Sequence, residues 1–240
     1  MNKMIKAITF DCWDTLLIDD YGCQSKQEEY LRAVLQDQGF QASLDDLKKA
    51  FQGENKLRRE YVIEHRKTKS ALQRLETVLE LLEISLPLSE MVTVADYCDK
   101  IALEFRPSAV PKVRTVLAAL TTDYRLAVIC NTGWHSAGTI KDLLAGHGLS
   151  NYFDCFSFSD EIGVAKPHPH IFEVTLEGLG SPPEETVHIG DAEYSDVVGA
   201  KQVNMRSILY TGCNDTYREN NSADFMIDDY DDLLSRLHDM

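Results

Sequence analysis

Residues 5–10 form a short apolar run that ends on Asp11. A continuous run of that length, closed by a polar residue, predicts a strand buried on both faces. From about residue 24 to residue 105 the texture changes to long charged segments. Apolar positions recur there at helical spacing, as at Leu44, Leu47 and Phe51 or at Leu75, Val78, Leu79 and Leu82. An all-helical segment is expected, with breaks near Gly39, Gly53 and Pro87. Ser43 and Asp46 resemble a capping box, with Asp where Glu or Gln is usual.

After Pro107 strands and helices alternate. The pattern predicts a helix at 111–120, a strand at 126–130, a helix at 136–147 stopped by Gly148, a strand at 153–158 and a helix at 169–179 closed by Gly180. A strand at 187–189, a helix running through Ala200, and strands at 207–210 and 225–227 complete the series. Alternation of this kind implies right-handed crossovers and an α/β class: a Rossmann-like, doubly wound parallel sheet with helices on both faces. Residues 1–18 and 107–240 are read as that core, and 19–106 as an all-helical insertion. Ligands collect at the carboxyl ends of the strands in such sheets. Asp11, Asn131 and Asp191 each stand just past a strand end, so three distant polar groups are expected on one rim.

The 240 residues suffice for one such domain and its insertion. A formal net charge of -15 disfavours nucleic acid or anionic membrane as a partner, since both need a positive contact surface. Six cysteines (Cys12, Cys23, Cys98, Cys130, Cys155 and Cys213) show neither a C-x-x-C pair nor zinc-ligand spacing. The apolar run near the start is too short for a secretory or membrane segment, so a cytoplasmic, reduced protein is expected. No feature of the pattern sets an oligomeric state.

Three segments carry candidate chemistry. Asp11 lies between a buried strand and a turn, where a carboxylate is held rigidly enough to act as ligand or nucleophile. Gly190-Asp191 is followed by Asp196 ahead of a short helix, and carboxylates crowded after a strand repel unless a cation or proton offsets them. Magnesium, which prefers hard oxygen ligands, is the natural cation. Lys166 stands in Gly163-Val164-Ala165-Lys166-Pro167, one flexible ammonium beside a fixed backbone.

In order along the chain these pieces resemble the four motifs of the haloacid dehalogenase superfamily. Residues 11–17 are similar to the first motif, Cys130-Asn131 stands at the second, Lys166-Pro167 at the third, and 190–196 at the fourth. The helical insertion falls where the family carries its helical cap. The resemblance implies a hydrolase in which Asp11 attacks phosphorus of a small phosphorylated molecule and the aspartyl-phosphate is then hydrolysed. It implies magnesium held by Asp11, the backbone carbonyl of Trp13 and Asp191, with Asp196 as a further or water-mediated ligand. Lys166 would neutralise the developing charge, Thr15 would orient the nucleophile or a phosphate oxygen, and Cys130, Asn131 and Thr132 would border the phosphate.

Two positions depart from the family pattern. The phosphatase branch carries a second Asp two places after the nucleophile, which protonates the leaving oxygen; here that place is Trp13, and Asp14 one place on is turned elsewhere. General acid or base catalysis contributes roughly 10²–10⁴ in rate, so turnover of alkyl phosphates should be slow. The dehalogenase branch also has an aromatic residue there, but it works without metal and lacks the acidic ligand that Asp191 supplies. The phosphonoacetaldehyde hydrolase branch lacks the second Asp too and uses a cap lysine, for which Lys26, Lys48, Lys49, Lys56, Lys67 and Lys69 are available. Cys130 stands where Ser or Thr is usual, and a thiol is the weaker donor. A third alternative is a binding or regulatory module on the same fold, against which retention of Asp11, Thr15, Lys166, Asp191 and Asp196 argues.

Other signals are read structurally. His168 and His170 flank Pro169 in loop spacing, and His188 is expected to be a satisfied core histidine. Trp134 and His135 either line the pocket mouth or pack against the cap. The charged stretch 58–69 is read as a solvated helix face, although Arg58, Arg59, His65 or Arg66 could reach a substrate anion on cap closure.

Overall fold

β1 (Ala7–Phe10) has no polar face: Ala7, Ile8 and Phe10 are fully buried, and Thr9 spends its hydroxyl on His188 Nδ1 at 2.7 Å. The computed structural model describes residues 4–18 and 22–238. Beyond β1 come α1 (Gly22–Asp37), α2 (Leu44–His65), α3 (Ala71–Leu81) and α4 (Leu88–Phe105), then α5 (Val113–Leu120), β2 (Arg125–Cys130), α6 (Ala137–Gly146) and β3 (Cys155–Phe158). The remainder is α7 (Ser159–Ile162), α8 (Pro169–Leu179), β4 (Thr186–Gly190), α9 (Val198–Gln202), β5 (Arg206–Tyr210), β6 (Phe225–Ile227) and α10 (Leu233–His238). All six strands pair in parallel in the order β3-β2-β1-β4-β5-β6. This is the doubly wound arrangement that the alternating pattern predicts. Its order reverses beside β1, where such sheets open a crevice at their carboxyl ends.

Register decides what meets there. Phe10 lies opposite Val128 of β2 and Ile189 of β4, so Asp11, Asn131 and Asp191 leave the same edge within three residues of that rung. Most strand residues are buried, as expected for parallel strands covered by helices on both faces.

Helices α1–α4, together with Thr132–Leu143, form a second compact unit, while Pro107–Asn131 and the chain from Leu144 onward belong to the unit of the sheet. The grouping corrects the expectation that all of 107–240 sits with the sheet. Trp134 is the reason: its ring stacks on Phe51 at 5.5 Å and lies under the Arg74 guanidinium at 4.4 Å, inside the helical unit's apolar cluster. The expected junction after residue 18 meets residues outside those described.

Within this unit Ser43 and Asp46 close the expected capping box, each side chain accepting from the other's backbone N–H at 3.1 Å. Gly39 (φ +82) and Pro87 mark breaks, as expected. Gly53 does not: α2 runs through it. An added Cβ there would lie 3.0 Å from Leu81 Cδ1, so the glycine lets the end of α3 approach closely. The break instead falls at 66–70, where Ser70 and Gln73 make a second capping box. The S-x-x-Q spacing that signals it stands in the sequence.

Candidate active site

Asp11 is carried by the end of β1 and fastened across the sheet by its own N–H, which donates to Ile189 O at 2.8 Å. The chain then turns back at once. Asp14 adopts φ 54, a left-handed conformation that Asp tolerates better than most residues, and the N–H groups of Leu16 and Leu17 both return to Cys12 O. The turn leaves Trp13 and Asp14 partly exposed and buries Thr15. Tyr230 donates its hydroxyl to Thr15 O at 2.6 Å, whereas Thr15 Oγ1 is buried with no hydrogen-bond partner.

Lys166 is 1% exposed, and its Nζ donates to Asp11 Oδ1 at 2.5 Å and to Asp196 Oδ1 at 2.7 Å. Asn131 clamps its main chain from both sides: Asn131 Oδ1 accepts from Lys166 N at 2.7 Å and Nδ2 donates to Lys166 O at 3.0 Å. A long side chain is thereby aimed by its backbone. Burial opposes the charge on this ammonium, but Asp11 and Asp196 overcome that penalty and hold its pKa above the ordinary lysine value.

Asp191 and Asp196 follow β4 across a π-helical turn, Glu193–Val197, whose extra residue brings Asp196 back under the strand end. Gly190 makes this possible, because a Cβ there would lie 2.4 Å from Asp196 Cγ, inside contact distance. Both Asp196 oxygens are used. Oδ1 accepts from Lys166 and lies 3.2 Å from His188 Nε2, while Oδ2 accepts from Ala192 N at 3.0 Å and Ser195 Oγ at 3.3 Å. Asp191 is held by Asn214, whose Nδ2 donates to its Oδ2 at 2.7 Å.

The electrostatics separate the three carboxyls. Burial pushes Asp11 up to about 6 against the pull of Lys166, and burial followed by the charges of Asp11 and Asp196 raises Asp191 well above the carboxylate range. Burial works against Asp196 as well, yet Lys166 and His188 hold it well below that range. Ligand oxygens of Asp11, Asp191 and Asp196 lie within 4.8 Å of one another. Buried, all-oxygen and short of positive charge, with an orphaned hydroxyl at Thr15 on the turn after Asp11, this donor set suits a hard divalent cation.

The structure therefore brings Asp11, Lys166, Asp191 and Asp196 together. Asn131 spends its side-chain amide on the Lys166 backbone, so its part is to position the ammonium. Cys130 is fully buried at the end of β2, and the neighbouring Cys12 thiol together with burial holds its pKa well above the ordinary thiol value. Thr132 groups with the helical unit, its hydroxyl 3.4 Å from that of Thr68. His188 is the satisfied core histidine expected, held below its ordinary pKa by burial, and it also braces Asp196. His168 caps α8 by accepting from His170 N. Two contributors escaped sequence reasoning. Asn214 lies in a loop after β5 with no motif around it; Thr9 sat inside an apolar run, where a hydroxyl facing the histidine directly opposite on β4 leaves no local signal.

A family model described as haloacid dehalogenase-like hydrolase matches residues 5–204. Among curated proteins, glyceraldehyde 3-phosphate phosphatase of Pyrococcus furiosus is 37% identical over 94 residues, 37% of this chain and 38% of that protein. The match thus spans well under half of that relative's length. Among solved structures, the HAD-hydrolase YfnB of Bacillus subtilis, bound to magnesium, superposes with a TM-score of 0.72 at 18% identity, covering 98% of this chain and 99% of that one. The 2-haloacid dehalogenase of Pseudomonas syringae pv. Tomato gives 0.71 at 24% identity over 98% and 99%. Those two likenesses concern the fold. With the family model spanning the turn after β1, Lys166 and the acidic π-turn alike, the chain belongs to the haloacid dehalogenase-like hydrolases.

Proposed function

We propose that this chain hydrolyses a small phosphorylated metabolite, with magnesium as cofactor and an aspartyl-phosphate formed on Asp11. The observation that carries the reading is the single buried ammonium of Lys166 shared by Asp11 and Asp196, beside a third carboxyl, Asp191, left short of positive charge. A phosphatase among the partial relatives supports the same reading. Asp11 and Asp191, with the Trp13 carbonyl, would hold the cation, and Asp196, its oxygens already engaged, would act through Lys166 or through water. When bound, magnesium supplies positive charge to the phosphoryl oxygens.

Lys166 occupies Asp11 Oδ1, which leaves Oδ2 to attack phosphorus. The bond from phosphorus to the leaving oxygen breaks, and water then releases inorganic phosphate and restores Asp11. Lys166 and the Asn131 clamp keep the nucleophile ionised and aimed. Trp13 carries no titratable proton, so the leaving group must be a weak base or must draw its proton from elsewhere. The helical unit, with 19–106 as its inserted part, takes the role of a substrate-selecting cap, and six free cysteines suit a cytoplasmic setting.

Phosphate release from p-nitrophenyl phosphate and from acetyl phosphate tests this, with and without magnesium, for wild type and Asp11→Asn. Magnesium-dependent turnover lost in the variant is expected. A second reading, carbon–halogen hydrolysis, is favoured by Trp13 alone, since a halide leaves unprotonated; chloride release from 2-chloropropionate in EDTA, without any phosphatase activity, would replace the first reading with the second.

A further inference from the structure

We infer that Asn214 is a positioning residue that sets magnesium affinity by orienting Asp191, an assignment that rests on the metal-dependent reading above. Asn214 Oδ1 accepts from Thr216 N at 3.1 Å, which fixes the sense of the amide and leaves Nδ2 to donate to Asp191 Oδ2 at 2.7 Å. Asp191 is nine-tenths buried and otherwise surrounded by like charge, from Asp11, Asp196 and Asp14. Among the described residues, the Asn214 amide is the donor that holds the Asp191 carboxylate in place. A donor on Oδ2 fixes the orientation of the carboxylate and leaves its other oxygen for the shared centre, which is how outer groups tune a metal ligand.

The loop that carries Asn214 is itself anchored at both ends. Thr211 N donates to Ile227 O of β6 at 2.9 Å, and Arg218 reaches Asp228 through two bonds of 2.8 and 3.1 Å. At the far end Glu193, the first residue of the π-turn that places Asp196, accepts from Ser222 N and Oγ. Both acidic residues after β4 are therefore tied to the same loop, one by its side chain and the other through its turn. Neither tie is visible in motif spacing, because the loop stands some twenty residues downstream of Asp191.

The test compares the magnesium concentration giving half-maximal thermal stabilisation in wild type, Asn214→Ala and Asn221→Ala. Asn221 lies in the same loop and donates to Tyr217 O and Arg218 O, so its variant loosens the loop without touching Asp191. Loss of an outer-shell partner typically weakens metal binding about 10–100-fold. An increase of about tenfold or more is expected in the Asn214→Ala midpoint, with Asn221→Ala close to wild type. Turnover of acetyl phosphate at saturating magnesium should recover most of the wild-type rate in Asn214→Ala. An unshifted midpoint in Asn214→Ala, or equal shifts in both variants, overturns the assignment while leaving the function standing. Failure of magnesium to stabilise the wild type overturns both.

Discussion

Lys166 holds its charge between Asp11 and Asp196 at 1% exposure, so its removal is not a simple loss of contact. Lys166→Met keeps most of the volume and leaves two buried carboxyls without their shared cation. Breaking a buried pair this way costs about 3–5 kcal/mol, because the abandoned charge stays desolvated. Urea denaturation at neutral pH without added metal should show a loss of that order, together with loss of turnover. If the variant matches wild-type stability, the carboxyls are already protonated in the metal-free protein and the ammonium is not their counter-ion. At this scale the sequence was informative wherever one residue type at one spacing suffices, as for Asp11, Lys166, Asp191 and Asp196. It was silent on Asn214, which reaches Asp191 through a bond between two loops.

Helix α2 shows where local signals and packing part company. Gly53 reads as a breaker by propensity, yet 22 residues from Leu44 to His65 form one helix because the buried stripe of Leu47, Ala50, Phe51 and Glu54 continues past it. A mid-helix glycine costs roughly 0.5–1 kcal/mol relative to alanine. The atom that an added methyl would crowd, Leu81 Cδ1 at 3.0 Å, is the tip of a flexible side chain that is 46% exposed and free to swing. Gly53→Ala should therefore raise stability by about half a kcal/mol, whereas Ser70→Ala should lower it by about 1 kcal/mol through the lost cap of α3. Thermal melts of the two variants check both signs. Destabilisation by Gly53→Ala would mean that the α2–α3 approach is tighter than the mobility of Leu81 allows. The strands were the more legible elements, since burial on both faces writes a plain apolar run. The π-turn after β4 was not, because one extra residue in a helical turn leaves the composition unchanged.

Each unit of the molecule has its own apolar cluster and, in the helical one, its own buried ion pair. Arg74 donates through Nε to Glu54 Oε1 at 2.8 Å, pairs through its second arm with Glu54 Oε2, and bonds Asn55 Oδ1 at 2.8 Å, with Glu54 wholly buried. Neither residue stood out in the sequence, since a Glu and an Arg 20 positions apart on charged helices look like solvent-facing groups. The chain's two tryptophans fall one in each unit, Trp13 with the sheet and Trp134 among the helices. Trp13→Phe thus leaves a fluorescence reporter of the helical unit, and Trp134→Phe one of the sheet. Arg74→Met strands Glu54 and should cost the helical unit about 3–5 kcal/mol. If the two units fold on separate cores, the urea midpoint seen by Trp134 falls while that seen by Trp13 holds, and the two transitions come apart. Midpoints that fall together would show one cooperative block, in which a buried pair among the helices also sets the stability of the carboxylate rim at the end of β1.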